Sequence, residues 1–200
     1  MFTTSPKNPR RQLSMSKIKL SDIVVVTSNP NKLREINEIL GTNHQVSSLG
    51  IPEIQSLDLD EVITAKAEAA FEIIKKPVLV TDVSLEIEAL GGLPGPFVKF
   101  FLNTLGAEGT VKLIKGKGTE TKVTDAVAIY DGKSLKIFKG TIDGLMARKA
   151  RGKQGFGFDV VFIPKGHKKT YAQMSPEEKN KISHRALALK KLKAFLIRHQ

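Results

Sequence analysis

The stretch VVVTSNPNKLREI, residues 24–36, joins an apolar run to a segment with helical periodicity. The continuous run of β-branched residues within 21–27 predicts a buried strand. Asn29 followed by Pro30 is typical of a helix N-cap with proline at the first helical position, and Gly41 is placed to end that helix. The stretch therefore predicts a strand that leads directly into a helix.

The turn inside this stretch has two possible uses. Thr27, Ser28 and Asn29 precede the helix, and Lys32 lies one turn into it. Backbone N–H groups that are free at a helix start, together with a lysine, form an anion site. The turn is not a Walker A loop, which requires G-x-x-x-x-G-K-[ST]. These residues alone leave both a plain helix cap and a phosphate site open.

The rest of the chain alternates predicted strands and helices. Predicted strands cover 77–82, 121–130, 134–139 and 160–164, and predicted helices cover 61–75, 97–106 and a last segment that opens with the capping box at Ser175. Asp131-Gly132 predicts a hairpin between two of the strands. This pattern predicts an α/β fold with a mixed sheet, for which two lobes around a cleft are one arrangement.

Composition excludes several classes of protein. The 200 residues are 40% hydrophobic, which is enough for one sizeable core, and no cysteine is present. Disulfides, thiolate catalysis and cysteine-bound zinc are therefore excluded, and a reducing cytoplasm is the expected location. No apolar run is long enough to cross a membrane, and the polar first 20 residues do not resemble a secretory signal.

The formal net charge of +12 comes from the two ends of the chain. Residues 1–20 contain five Lys and Arg and no acid, and residues 166–200 contain nine against two acids. A basic surface favours polyanionic ligands, although lysine-rich helices are often simply solvated. We expect residues 1–20 to form a basic flexible extension and residues 21–200 to form a single domain.

Two acids are candidate metal ligands. Asp82 follows the apolar strand PVLVT, and ligand crevices of α/β folds lie where strands end. Asp82 can therefore hold Mg²⁺ or act as a general base, and a simple loop or capping aspartate is the alternative. Glu53 is the nearest comparable acid in a loop-like context. Mg²⁺ is usually held by one or two carboxylates with substrate phosphates.

Two later segments also combine polar groups with turn residues. In RGKQGFGFD (151–159), Phe156 and Phe158 can stack on a base and Asp159 can bind its polar edge, or both rings are plain core packing. In EEKNKISHRA (177–186), Lys179 and either His184 or Arg185 lie one to two turns apart. A surface salt-bridge face is the alternative for this segment.

The four segments together, in this order and at this spacing, resemble the inosine triphosphate pyrophosphatase family. VTSNPNK is similar to the family's T-G-N-x-x-K, and LGGLPGPFVKFF to its glycine-proline segment. QGFGFDVVF is similar to F-G-[WY]-D-P-x-F, and TYAQMSPEEKNKISHRALAL to T-[YF]-A-E-[ML]-x-x-x-x-K-N-x-x-S-H-R. The resemblance runs from about Ile23 to Leu196. It implies an elongated two-lobed α/β fold with a central nucleotide cleft, a homodimer, and Mg²⁺-dependent hydrolysis of ITP, dITP or XTP to the monophosphate and pyrophosphate.

The resemblance also implies roles for individual residues. Glu53 and Asp82 would hold the metal, with Asp82 also the base for the attacking water. The remaining residues would bind substrate: Thr27, Ser28, Asn29, Lys32, Lys66 and Lys99 at the triphosphate, and Phe156, Gly157, Phe158, Asp159, Lys179, His184 and Arg185 in and around the base pocket.

The chain departs from the family pattern at several positions. Thr81 stands where the family usually has an acid, and Val83 and Ser84 replace its usual Ser or Thr and Gly. Ser28 replaces the glycine of T-G-N, and Val160 replaces the proline after the aspartate. Loss of an acid at position 81 predicts weaker Mg²⁺ binding or slower activation of water.

Two other functions are also compatible with the sequence. The altered residues around Asp82 suggest a catalytically silent nucleotide-binding module, and the charge of +12 suggests a nucleic-acid-binding protein. We expect a small-molecule nucleotide as the ligand, a homodimer, no membrane partner and no nucleic-acid partner.

Overall fold

The computed structural model describes residues 18–45 and 49–199, so most of the predicted N-terminal extension lies outside the described residues. Within them, a six-stranded mixed sheet is flanked by helices, which confirms the predicted α/β class. The strands are β1 (Val24–Val25), β2 (Val78–Ile87), β3 (Pro94–Gly95), β4 (Glu120–Tyr130), β5 (Leu135–Met146) and β6 (Phe162–Pro164). The helices are α1 (Pro30–Leu40), α2 (Leu59–Ile74), α3 (Val98–Lys112), α4 (Pro176–Ile182) and α5 (His184–Arg198).

The central strand β2 is partly open along one edge. The sheet order is β1-β2-β4-β5-β6, and β3 also pairs with β2. Among these pairs, only β1 and β2 run parallel, and Val24 and Val25 of β1 lie opposite the start of β2. Strand β3 pairs with Leu85 and Glu86, near the end of β2. The middle of β2 is therefore paired with β4 on one side, and its other edge opens between β1 and β3.

The two faces of the sheet carry different helices. Leu79 and Val127 pack with α1 and α5 on one face. Val80 and Ala126 pack with α2 on the other face. Because side chains alternate along a strand, Thr81 projects toward α1 and α5 and Asp82 projects toward α2.

The predicted end of the second strand at Asp82 is wrong. Strand β2 continues to Ile87, which pairs with Thr121 of β4. The residues after Asp82 keep the alternation and the apolar character that a buried strand needs, since Val83, Leu85 and Ile87 are all in the core. Asp82 consequently lies in the middle of a strand and not at the end of one.

Three further boundaries differ from prediction. Only Val24–Val25 of the predicted first strand is paired, and a short 3-10 turn over Leu20–Asp22 precedes it. Helix α3 continues beyond Gly106, where the backbone breaks at φ 69°, to Lys112. The predicted last helix is two helices, because Ser183 is extended and its hydroxyl accepts from the N–H of Ala186 to begin α5. No helix in the described residues is long and apolar enough to cross a membrane.

Candidate functional site

The turn before α1 is a helix cap, as predicted. The Asn29 side chain accepts from the N–H groups of Asn31 and Lys32 at 3.0 and 3.2 Å. Thr27 Oγ1 accepts from the N–H of Asn29 at 3.1 Å, and Ser28 is exposed. The expectation that the helix start offers free N–H groups is therefore wrong for two of them, and Lys32 is the cation that remains for an anion.

Lys32 lies between two groups of charged side chains. It is partly buried, and within the described residues its ammonium has no hydrogen bond or ion pair. Burial lowers the pKa of Lys32, and its charge interacts with Asp82 and Lys66 on one side and Arg185 and Asp125 on the other. This side chain therefore connects the two faces of the sheet electrostatically.

The first group, which we call the acid–lysine cluster, consists of Glu53, Lys66, Asp82 and Lys99. Lys66 Nζ on α2 lies 2.8 Å from Glu53 Oε1 and 3.4 Å from Asp82 Oδ2. Lys99 on the first turn of α3 lies 3.9 Å from Glu53 Oε2. Burial lowers the pKa of Lys66, but the Asp82 and Glu53 carboxylates outweigh it and the net shift is upward. The two acids therefore share one charged ammonium.

The donor set of this cluster fits a hard divalent cation. Glu53 and Asp82 supply carboxylate oxygens, and their side chains are 40% and 18% exposed, so both are reachable from solvent. No group of three or more His, Cys, Asp or Glu able to hold a metal occurs in the described parts of the chain. Two carboxylates with substrate phosphates are the arrangement typical of Mg²⁺ in nucleotide enzymes.

The second group, which we call the buried ion network, lies on the other face and consists of Glu35, Asp125, Asp159, Lys179 and Arg185. Lys179 Nζ binds Glu35 Oε1 at 2.8 Å and also binds Asp159. Arg185 binds Glu35 through Nη1, and its Nε lies 2.8 Å from Asp125 Oδ2. All five side chains are buried. Burying so many charges is costly unless each is paired, which explains the dense pairing.

The pKa values in this network diverge according to the partners. Burial raises the pKa of Glu35, but Arg185 and Lys179 outweigh it and hold that pKa below its ordinary value. Burial prevails at Asp125 and Asp159, whose pKa values are raised although Arg185 and Lys179 oppose the shift. Glu35 is therefore the most firmly ionised acid of the three.

Residues 155–159, just before β6, pack against the buried ion network. Phe156 lies over the cations, with Lys179 Nζ 5.0 Å and the Arg185 guanidinium carbon 5.8 Å from its ring centre. Its N–H donates to Asp159 Oδ2 at 2.8 Å. A side chain at Gly155 would place its Cβ 2.1 Å from that same oxygen, so glycine is required for the approach. Phe158 instead packs in the core, which leaves Phe156 as the ring near the site.

His184 is held neutral beside the network. Its ring centre lies 5.9 Å from the ring centres of both Phe158 and Tyr171. Burial lowers the pKa of His184 well below its ordinary value, and the positive charges of Arg185 and Lys179 lower it further. At neutral pH the imidazole is therefore an uncharged group that packs against these two rings.

The structure brings together most residues that the sequence singled out, apart from Thr27, Ser28, Gly157 and Phe158. Thr27 and Ser28 belong to the local turn, and Gly157 is an exposed glycine that begins a short 3-10 helix. Sequence reasoning missed Glu35 and Asp125. The available signal for Asp125 was an acid inside the apolar run of β4, a position where a carboxylate is buried only if it is paired.

The chain is similar to several known proteins. The sequence profile of the Ham1 family matches residues 23–195. An inosine triphosphate pyrophosphatase of Schizosaccharomyces pombe is 41% identical over 182 residues, covering 88% of this chain and 96% of that protein. A dITP/XTP pyrophosphatase of Saccharolobus solfataricus is 42% identical over 178 residues, covering 87% and 93%. A solved structure of a HAM1 protein from Coxiella burnetii has a TM-score of 0.75 at 27% identity, covering 88% of this chain and 98% of that one.

Proposed function

This chain belongs to the Ham1 family, and on that basis we propose that it hydrolyses ITP, dITP and XTP to the nucleoside monophosphate and pyrophosphate. The observation that carries the proposal is the placement of two charged groups around the middle of β2. The acid–lysine cluster on one face suits a metal triphosphate, and the buried ion network on the other suits a polar base edge. Removal of deaminated purines from the nucleotide pool is the corresponding role.

The phosphates bind at the acid–lysine cluster in this proposal. Lys32, Lys66 and Lys99 approach the phosphate oxygens, and Asp82 accepts the proton of the attacking water. When bound, Mg²⁺ held by Glu53 and Asp82 would supply charge that stabilises the leaving pyrophosphate. Positioning and charge neutralisation then account for most of the catalysis, as in other phosphoryl transfers.

The purine binds beside the buried ion network. Lys179 and Arg185 offer N–H donors, and Phe156 lies next to them. A 6-oxo group accepts from such donors, whereas the 6-amino group of adenine presents another donor and leaves buried polar groups unpaired. Because unpaired buried donors are penalised strongly, this arrangement favours ITP and XTP over ATP.

We further propose the domain organisation, location and partners of the protein. Residues 21–200 form a single catalytic domain that acts as a cytoplasmic homodimer, with the nucleotide as its ligand and neither membrane nor nucleic acid as a partner. The silent-module alternative rested on the altered residues near Asp82. Thr81 projects to the face opposite Asp82, so its replacement of an acid leaves the acid–lysine cluster intact.

A substrate panel with pyrophosphate detection tests the proposal. Purified protein is incubated with Mg²⁺ and each of ITP, dITP, XTP, ATP and GTP. We expect pyrophosphate from the first three and much slower release from ATP and GTP. Thermal stabilisation by ITP without pyrophosphate release would indicate the silent module, because a ligand that binds only the native state raises apparent stability. Equal rates with all five would contradict the proposed selectivity.

A further inference from the structure

Asp125 is a fully buried acid that the proposed reaction does not use directly. Its two oxygens have different partners: the Thr81 hydroxyl donates to Oδ1, and Arg185 Nε lies 2.8 Å from Oδ2. The second contact is an ion pair outside hydrogen-bond geometry, since neither atom has a hydrogen-bond partner. Asp125 therefore connects the central strands to the arginine of the proposed base pocket.

The register of the sheet places Asp125 and Thr81 on the same face. Asp125 of β4 lies opposite Val83 of β2, and Thr81 is two residues before Val83 on the same face. Asp82 lies opposite Ala126 and projects to the other face. The hydroxyl of Thr81 is consequently directed to Asp125 and Arg185, away from the proposed metal ligands.

Two carboxylates hold the Arg185 guanidinium at two points. Glu35 accepts a hydrogen bond from Nη1 and Asp125 forms an ion pair with Nε, so the group is held between two negative charges. Among the described residues, these two ion pairs involve the Nη1 and Nε atoms of the guanidinium. A guanidinium fixed on one side keeps its remaining donors oriented toward a ligand without a further loss of rotamer freedom on binding.

We propose that Asp125, held in turn by Thr81, is the positioning residue that orients Arg185 for purine recognition. The inference rests on the proposed function and assigns a consequence to Thr81 that the sequence did not predict. Thr81 serves the base pocket through Asp125, and a carboxylate from the neighbouring strand β4 compensates for the acid that is missing at position 81. Metal binding is then unaffected by the threonine.

Two substitutions test the role. Asp125→Asn removes the charge and keeps the shape, and Thr81→Val removes only the hydroxyl. We expect Asp125→Asn to lower the preference for ITP over ATP, as the ratio of kcat/KM, by about tenfold or more, and Thr81→Val to lower it by a smaller factor. The affinity for IMP, measured by calorimetry, should fall in parallel, and the Mg²⁺ concentration for half-maximal rate should stay at its wild-type value.

Thr124→Val provides a matched control on the same strand, because it removes a hydroxyl whose 3.1 Å hydrogen bond is to Thr141, which is not a member of the network. It should leave the ITP preference unchanged. If Asp125→Asn does not fold, Thr81→Val alone decides. Folded variants with wild-type preference and IMP affinity, or with a changed Mg²⁺ requirement instead, would overturn the inference. A wild-type protein that leaves ITP intact would overturn the proposed function and this inference with it.

Discussion

Neighbouring residues of β2 divide the proposed chemistry between the two faces of the sheet. Asp82 joins Lys66 on the α2 face, and Thr81 joins Asp125 on the α5 face. A strand alternates its side chains, so adjacent positions can serve the phosphate and the base without competing for space. The role of each of these residues therefore depends on which face of the sheet its side chain occupies.

Replacement of Asp82 by asparagine tests the proposed base. The amide cannot accept a proton from water, and general-base catalysis contributes about 100-fold or more. We expect kcat for ITP to fall by roughly that factor at saturating Mg²⁺. Asp60→Asn is the control, because Asp60 lies on α2 and, among the described residues, forms its ion pair with Lys139 at the surface. Wild-type turnover in Asp82→Asn at saturating Mg²⁺ would show that the assigned role is wrong.

Replacement of Lys32 by methionine tests the proposed phosphate contact. The change keeps the length of the side chain and removes its charge. A hydrogen bond to a charged group contributes about 1.5–3 kcal/mol, so KM for ITP should rise roughly 10- to 100-fold with a smaller change in kcat. Lys133→Met on the exposed β4–β5 turn should behave as wild type. An unchanged KM in Lys32→Met would place the triphosphate elsewhere.

At the scale of elements, the start of α5 is set by its contact with β5. Gly140 of β5 faces the helix so closely that a Cβ there would lie 2.0 Å from the carbonyl oxygen of His184. The strand can therefore approach the turn that carries His184 and Arg185 only because position 140 has no side chain. This packing fixes the distance of Arg185 from the sheet.

Gly140→Ala should displace α5 and weaken the fold. Overpacking of this kind costs about 1–3 kcal/mol, measured as the free energy of unfolding in urea. Activity on ITP should fall as well, since Arg185 moves with the helix. Gly50→Ala is the matched control, because a Cβ at Gly50 meets nothing within 4 Å. Equal stability of the two variants would show that β5 and α5 are not packed as described.

Several elements followed directly from local sequence. Helix α1 begins at Pro30 and stops before Gly41 because its cap, proline and terminal glycine are all local signals. The hairpin at Asp131-Gly132 was predictable for the same reason. The division of the last helix at Ser183 was not predicted, because the helical periodicity continues across this residue although its backbone is extended.

At the scale of the whole molecule, the buried ion network connects distant parts of the chain. Lys179 contacts Glu35 across 144 residues of sequence, and Arg185 contacts the same acid across 150. The sequence motifs identified Lys179 and Arg185, but no local pattern predicts which acids form ion pairs with them. The contacts of Glu35 and Asp125 with Arg185 became visible only when α1, β4 and α5 were placed around one sheet.

The neutrality of His184 predicts how global stability depends on pH. In the unfolded chain a histidine binds a proton near its ordinary pKa of 6.5, whereas folded His184 stays neutral to a much lower pH. The unfolded state therefore binds more protons below about pH 6.5, and the free energy of unfolding falls as pH falls, by at most about 1.4 kcal/mol per pH unit from this group.

Urea unfolding of the wild type and His184→Gln at pH 7 and pH 5.5 measures this contribution. We expect the stability of the wild type to fall more between these values than that of the variant, whatever their difference at pH 7. Identical losses of stability in the two proteins would mean that the buried imidazole does not resist protonation.

The products formed from ITP test the central claim most directly. ITP is incubated with the protein and Mg²⁺, and the products are separated by ion-exchange chromatography over time. We predict that IMP and pyrophosphate appear in equal amounts from the first time point, without IDP or inorganic phosphate. Release of IDP and phosphate, or ITP that remains intact, would contradict the assignment of this chain as a pyrophosphate-releasing hydrolase.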